Sequence, residues 1–204
     1  MSRFYLRLML IPIALFTAAL LLIRAQPYDD HELRQILLPD GCPAPCFMGM
    51  RPGVTTVDEA VTILRANQWV AQVNKRGINN KYGFITWTWK DQKPGWASPK
   101  AVGEILLTDK KVHAITIASA LVLGETRLTL GLPDAEFIGT PQDPTDKSIL
   151  YEGFYGQYGL ITRSWQTCDV TEPLRKTVVI TVVEPNSDGT RRGGGRFNDV
   201  FRNC

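Results

Sequence analysis

The sequence predicts an α+β protein in which an N-terminal transmembrane helix precedes two small helix-plus-antiparallel-sheet units. Three observations lead to this fold class. An uncharged apolar run lies near the N-terminus, two helix-start patterns recur around Glu59 and Glu125, and alternating or β-branched segments follow each of them. The similar order of the two halves raises a tandem repeat as one arrangement. With 204 residues and 44% apolar composition, the chain is able to bury a core.

The N-terminal segment, residues 1–25, has the charge pattern of a membrane leader. Arg3 and Arg7 precede the uncharged run Leu8–Ile23, which Arg24 ends. We expect a retained single-pass anchor in the cytoplasmic membrane, with the N-terminus inside and the globular domain outside. The alternative is a cleaved signal peptide, with Ile23 and Ala25 as its small-residue cleavage motif, which would release a secreted protein.

The exported part is formally neutral. The chain has 23 basic and 20 acidic residues, but the leader contains three arginines and no acid. Because the small excess of positive charge belongs to the leader, no electrostatic footprint for nucleic acid remains.

Four cysteines in an exported chain favour disulfides, because the compartment is oxidising. We expect Cys42 to pair with Cys46 and Cys168 with Cys204, although bridges between these two sets stay open. Pro43 and Pro45 stiffen the first pair, which predicts a structural staple. The alternative is a thiol-disulfide redox site or sensor, which would need a low-pKa thiol at a helix start or beside a cation.

The expected domain organisation is a juxtamembrane stalk, residues 26–52, followed by an extracytoplasmic α+β domain, residues 53–204. The first unit, about 53–118, begins with a capping box of Thr56 and Glu59, or of Thr55 and Asp58. Its helix has apolar residues at Val57, Ala60, Val61 and Leu64. Strict alternation in GFITWTWK and a hairpin about Asp109 to Lys111 predict antiparallel strands.

The second unit, about 119–204, starts with a short helix in VLGETRLTLGLPD, which Gly131 and Pro133 end. SILYEGFY and YGLITRSW flank Gly156 and Gln157 as a second hairpin. The β-branched run Lys176–Glu184 predicts a buried strand. The Gly-rich basic tail reads as a flexible loop.

The chain has few residues that could form a catalytic or metal site. His31 and His113 are the two histidines, so neither a Ser-His-Asp triad nor a histidine zinc site is expected. His113 reads as a structural strand residue, and Asp143 and Asp146 lie among turn residues. No metal, cofactor or catalytic residue is predicted.

Aromatic residues are the best binding candidates, because helices on one face of a sheet leave the other face open. We expect Trp96, Tyr155 and Tyr158 to be exposed anchors near turns. Trp87 and Trp89 share a strand face with Ile85 and are expected in the core, whereas Phe84, Thr86 and Thr88 lie on the opposite face.

Two stretches, PAPCFMGMRPGVTTVDEAVTIL and LGETRLTLGLPD, carry a resemblance to known proteins. They resemble a group of membrane-anchored bacterial proteins with a cysteine-containing stalk, and their helix motifs are similar to those of SmpA/OmlA lipoproteins and β-lactamase-inhibitor-protein-like domains. The resemblance implies helix-plus-sheet units used for protein contacts and no catalytic residues. The chain departs from the lipoproteins because no lipid-attachment cysteine follows the leader.

These observations predict a membrane-anchored extracytoplasmic protein that acts as a non-enzymatic protein-binding or envelope module. The expected partners are a membrane, through the N-terminal helix, and a protein of unknown identity. The redox function of Cys42 and Cys46 is the alternative.

Overall fold

The computed structural model describes residues 2–25, 41–79, 81–98, 101–139, 148–167 and 175–184. The chain divides into two compact units, Met1–Asp30 and His31–Cys204. The first contains helix α1, Ser2–Ala25. Within the described residues, no helix is long and apolar enough to cross a membrane. The expected transmembrane helix is therefore wrong: the uncharged run ends before the roughly 20 residues that a span needs.

The second unit contains two short helices and eight strands. In chain order they are α2 (Val57–Ala66), β1 (Val70–Arg76), β2 (Tyr82–Trp89), β3 (Gly103–Thr108), β4 (Lys111–Val122), α3 (Leu123–Leu130), β5 (Ala135–Gly139), β6 (Ser148–Tyr155), β7 (Leu160–Thr167) and β8 (Thr177–Val183). A single 3₁₀ turn, Gly156–Tyr158, joins β6 to β7.

All eight strands form one antiparallel sheet in the order β1-β2-β3-β4-β8-β7-β6-β5. The expected division into two small separate sheets is wrong, because β4 pairs with β8 from Ala114–Val183 to Ala118–Val179. Each strand offers the other an edge of unpaired backbone groups, and pairing satisfies both edges at once. The two halves of the chain therefore share one sheet.

Helix α2 begins, and helix α3 ends, as their sequences predict. The Thr56 N–H donates to Glu59 Oε2 at 2.8 Å, and the Glu59 N–H donates to Thr56 Oγ1 at 3.4 Å. This confirms the Thr56–Glu59 capping box; the Thr55 hydroxyl instead accepts the Arg51 N–H at 2.8 Å. Helix α3 ends at Gly131, whose φ of 83° is easily adopted only by glycine.

The strands and hairpins predicted from alternation are also confirmed, but two strands were missed. β1 and β5 form the two edges of the sheet. The sequence of β1, VAQVNKR, is mostly exposed and polar, so it lacks the apolar alternation that identifies a half-buried strand.

The core lies between the helices and one face of the sheet. The helix residues Val57, Ala60, Val61 and Leu64 are buried there, as expected. They pack in one cluster with strand residues that include Ile85, Trp87, Ile105, Ile115, Ile180 and Val182. Cys46, Phe47 and Met50 are also fully buried. The part of the expected stalk that the structure describes, residues 41–52, therefore contributes to the core, and residues 26–40 lie outside the described residues.

An indole ring lying flat on a neighbouring strand fixes part of this core. Trp87 is fully buried and lies opposite Gly103 on β3. A Cβ at Gly103 would lie 2.1 Å from Cζ2 of Trp87. Glycine is required here because the ring occupies the space of a side chain.

We predict that Gly103→Ala lowers the free energy of unfolding by about 2 kcal/mol, since the buried ring has no free space into which to move. The measurement is urea unfolding followed by tryptophan fluorescence. Val102→Ala is the matched control, because Val102 is 52% exposed and its truncation is expected to change stability by less than about 0.5 kcal/mol. Equal midpoints for the two variants would contradict the packing described.

Candidate binding surface

The sheet has a second face, directed away from α2 and α3, which we call the open face. Strand alternation and register assign it, because residues between core positions point to the opposite side. Ile161 and Val183 on this face are buried but do not belong to the main core cluster. The helices cover the other side of the sheet, as the sequence predicts, and the burial of Ile161 and Val183 shows that the open face is not exposed at every position.

Five aromatic residues on the open face form what we call the aromatic rim: Tyr82, Phe84, Phe137, Phe154 and Trp165. Tyr82 and Trp165 are each 50% exposed and Phe84 is 40% exposed. Phe137 and Phe154 are half-buried. Exposed aromatic side chains of this size are typical anchors of protein interfaces.

Small side chains occupy the middle of the open face. Its β4 positions are Ala114, Thr116, Ala118 and Ala120. Tyr82 and Phe84 stand on β2, to one side of β4, whereas Phe137, Phe154 and Trp165 stand on β5, β6 and β7, to the other. We call these small β4 side chains the strip, and the larger rim side chains lie on either side of it.

A row of polar side chains crosses this strip. Arg163 donates from Nε to Glu152 Oε2 at 2.6 Å and from Nη1 to Thr181 Oγ1 at 3.2 Å. The Thr181 hydroxyl lies 3.3 Å from that of Thr116. The Glu152 side chain is only 8% exposed, and that of Arg163 is 30% exposed. The charges compensate one another, so the open face presents an arginine beside Trp165 without an uncompensated charge.

We predict that Arg163→Met lowers the free energy of unfolding by about 2 kcal/mol, because the buried Glu152 carboxylate then lacks its partner. The double variant Arg163→Met, Glu152→Met should recover most of this loss, since no buried charge remains. Urea unfolding of both single variants and the double variant measures the coupling. Additive losses would show that the ion pair contributes nothing to stability.

Two of the three aromatic residues expected as exposed anchors are core residues. Trp96 is 5% exposed and Tyr155 is 1% exposed, and Tyr158 is half-buried. The Trp96 ring stands edge-on to Phe47 and Trp89, with centroid distances of 6.1 and 5.6 Å. Proximity to a turn was a poor guide to exposure, because the Trp96 segment folds back onto the core and pairs its carbonyl with the Ala120 N–H at 2.7 Å.

The alternation around Phe84 contained the signal for the open face. Trp87 and Ile85 are fully buried, as expected, and Phe84 is exposed. The same rule of alternate faces, applied to β6 and β7, would have placed Phe154 and Trp165 on the open face. The register between strands, which brings these residues onto one surface, was not available from local patterns.

The first cysteine pair forms a disulfide. Cys42 and Cys46 are bonded, with their Cα atoms 6.0 Å apart, and the Cys46 side chain is fully buried. Directly after it, the N–H groups of Phe47 and Met50 donate to each other's carbonyls at 2.9 and 2.8 Å. Met48 and Gly49 both have positive φ in this two-residue turn. Cys168 and Cys204 lie outside the described residues.

The other candidate groups do not converge on a site. His113 is half-buried on β4, whereas His31, Asp143 and Asp146 lie outside the described residues. In the part of the chain that the structure describes, no three metal-ligating side chains of His, Cys, Asp or Glu come together.

A polar cluster on the helix side was not anticipated from sequence. Arg127 Nη2 donates to Glu136 Oε1 at 2.6 Å and to Tyr151 Oη at 2.9 Å, and Tyr151 Oη donates to Glu136 at 3.0 Å. Burial raises the pKa of the Tyr151 phenol, and it raises the pKa of Tyr155 as well. Both phenols are therefore neutral at physiological pH. The cluster fixes α3 to β5 and β6, which is a structural role.

No protein family, curated protein or solved structure matches the chain.

Proposed function

We propose that this protein is a non-enzymatic binding module that docks a protein partner on its open face, in an oxidising compartment outside the cytoplasm. The observation that carries the proposal is the aromatic rim: three aromatic side chains, Tyr82, Phe84 and Trp165, are 40–50% exposed on the helix-free face. Isolated exposed apolar residues are ordinary, but aromatic residues that share one face with an arginine have the composition of an interface.

The strip between the two sides of the rim supports the same function. Small β4 side chains lie between the two sides of the rim. A partner segment that runs along β4 would pass Phe84 near Ala114 and Trp165 beyond Ala118. Arg163 is held by Glu152 and Thr181 before binding, so little side-chain entropy is lost when a partner covers it. We expect Trp165 and Arg163, two residues apart on β7, to contribute most of the affinity.

The compartment is inferred from the cysteine pair and the leader. A disulfide between Cys42 and Cys46 persists outside the reducing cytoplasm. Arginines followed by an apolar run at the N-terminus favour export. With Cys42 and Cys46 joined, Cys168 and Cys204 are the pair that remains for a second bridge.

The thiol-disulfide alternative has less support. An attacking thiolate needs access and a cationic or helix-terminal environment. The Cys46 side chain is fully buried beside core residue Phe47, and α2 begins only at Val57. These contacts favour a structural role for the bond.

The resemblance to β-lactamase-inhibitor-protein-like and SmpA/OmlA domains points toward protein binding as well. It comes from short helix motifs, so the open face rather than the resemblance determines which surface to test.

We predict that a photo-crosslinking amino acid at position 84 or 165 captures the same small set of proteins in intact cells. The same probe at Leu128, which is 74% exposed on α3, should not capture this set. After identification and purification of the partner, Trp165→Ala should weaken binding to the full chain about 30-fold, which is the loss expected for an interface hot spot. Leu128→Ala should leave the affinity unchanged.

Capture from position 128 but not from positions 84 and 165 would contradict this use of the open face. So would a purified partner that binds Trp165→Ala and Leu128→Ala equally well. Unchanged unfolding midpoints of both variants serve as the folding control.

A further inference from the structure

We propose that one end of the sheet, formed by the β1–β2 and β3–β4 turns, rests on an anionic phospholipid surface. In this contact Ile78 and Tyr82 enter the headgroup region, while the surrounding lysines and Arg76 pair with lipid phosphates. We call this end of the sheet the basic tip; its described residues are 75–79, 81–82 and 108–111. Tyr82 belongs both to the basic tip and to the aromatic rim, but Ile78 and the basic residues of the tip lie outside the rim, so the charge test below does not depend on the protein partner proposed above.

The two turns form one end because the strands are antiparallel and in register. Tyr82 lies opposite Thr108, and Thr108 lies opposite Lys111. The Asp109 N–H donates to the Lys81 carbonyl at 3.0 Å, which joins the two turns directly. The tip is therefore a continuous surface built from both hairpins.

Local geometry holds the tip residues in place. Asn79 Oδ1 accepts the N–H groups of Lys81 and Tyr82 at 2.8 and 2.7 Å. In the second turn Asp109 and Lys110 both have positive φ, at 51° and 62°, the geometry of a two-residue hairpin turn. The side chains of the tip are thus presented on a preorganised backbone.

Positive charge is concentrated at the tip although the exported part of the chain is formally neutral. Its basic residues are Lys75, Arg76, Lys81, Lys110 and Lys111, all of them exposed. Few acidic side chains face the tip, and most of them already contact other groups. Asp58 pairs with Lys75 of the tip at 3.4 Å, Glu59 caps α2 through Thr56, and Glu184 lies against Gly53, which bonds Val112 beside Lys111. Asp109 is the one acid within the described tip. A cationic surface remains.

Exposed apolar side chains lie within this charged surface. Ile78 is 40% exposed and Tyr82 is 50% exposed. The Lys81 ammonium stands 5.3 Å from the centroid of the Tyr82 ring. Apolar and tyrosine side chains surrounded by Lys and Arg are the composition of proteins that bind the membrane interface.

The directions of these two side chains favour a membrane over an acidic protein. Ile78 packs on the helix side, because a Cβ at the core-facing Gly83 would lie 2.9 Å from its Cγ1, whereas Tyr82 alternates with Gly83 and lies on the open face. A single flat protein patch on either face would contact only one of them. A membrane that meets the tip end-on contacts both, and long basic side chains on either side reach the phosphates.

The test compares full-length variants in sedimentation with phospholipid vesicles. The charge variant is Arg76→Glu, Lys81→Glu, Lys111→Glu, and its matched control is Arg65→Glu, Lys90→Glu, Lys93→Glu, which changes the same charge away from the tip. Vesicles contain phosphatidylcholine with phosphatidylglycerol, or phosphatidylcholine alone. The N-terminal leader is identical in all variants, so its own affinity for vesicles cancels in the comparison.

The charge variant should partition about 100-fold less onto anionic vesicles than the matched control, since each basic residue near an anionic surface contributes about fivefold. The two variants should partition equally onto phosphatidylcholine. Ile78→Ser, Tyr82→Ser should lower partitioning about tenfold on both vesicle types. Unfolding midpoints close to that of the unaltered chain exclude misfolding as the cause.

Equal partitioning of the charge variant and its control onto anionic vesicles would overturn the proposal. Soluble polyglutamate provides the second arm: if the unaltered chain binds it through the tip but shows no tip-dependent partitioning onto vesicles, the tip recognises an acidic protein and the membrane proposal is wrong.

Discussion

The pairing of β4 with β8 is the constraint on which the rest of this structure depends. It joins two sets of four consecutive strands into one sheet, and it makes β4 and β8 the middle strands, with neighbours on both sides. Because the ladder is continuous, side chains of one alternation phase face the side of the sheet that carries α2 and α3, and those of the other phase lie on a single open face. The proposed binding surface exists only because the two halves share this junction.

The disulfide loop lies against the same junction. A Cβ at Gly159 would lie 2.8 Å from both Pro45 Cβ and the Val183 carbonyl, so Pro45 packs where β7 begins and β8 ends. Phe47, two residues later, contacts Trp87 and Trp96 with centroid distances of 6.4 and 6.1 Å. One short loop thus touches both halves of the sheet, and the Cys42–Cys46 bond restricts its conformations in the unfolded chain. The disulfide therefore has a structural role in this protein.

Sequence reasoning succeeded where neighbouring residues determine the result. The Thr56–Glu59 cap, the stop at Gly131, the turn at Asp109 and Lys110, and the faces of Ile85, Trp87 and Phe84 all follow from local backbone chemistry and strand alternation. It failed where segments that are distant in sequence pair or pack together. No local pattern indicates that β4 pairs with β8. The edge strand β1 is exposed and polar, so it shows no apolar alternation. Trp96 and Tyr155 were misplaced for the same reason, since their burial depends on segments remote in sequence.

The distribution of charge on the surface also depends on segments that are distant in sequence. The formally neutral composition of residues 26–204 hides the basic tip, because composition does not record that Lys81 and Lys111 lie at one end of the sheet. The apolar run near the N-terminus predicts a membrane span, but its uncharged length falls below the usual requirement.

Hydrogen–deuterium exchange of the full chain across a urea series tests the central junction most directly. A shared sheet predicts one cooperative unfolding transition, with the amides of residues 114–118 on β4 and 179–183 on β8 exchanging slowest and with the same urea dependence. Two separate transitions, with the β4 amides following the first half of the chain and the β8 amides following the second, would contradict the account.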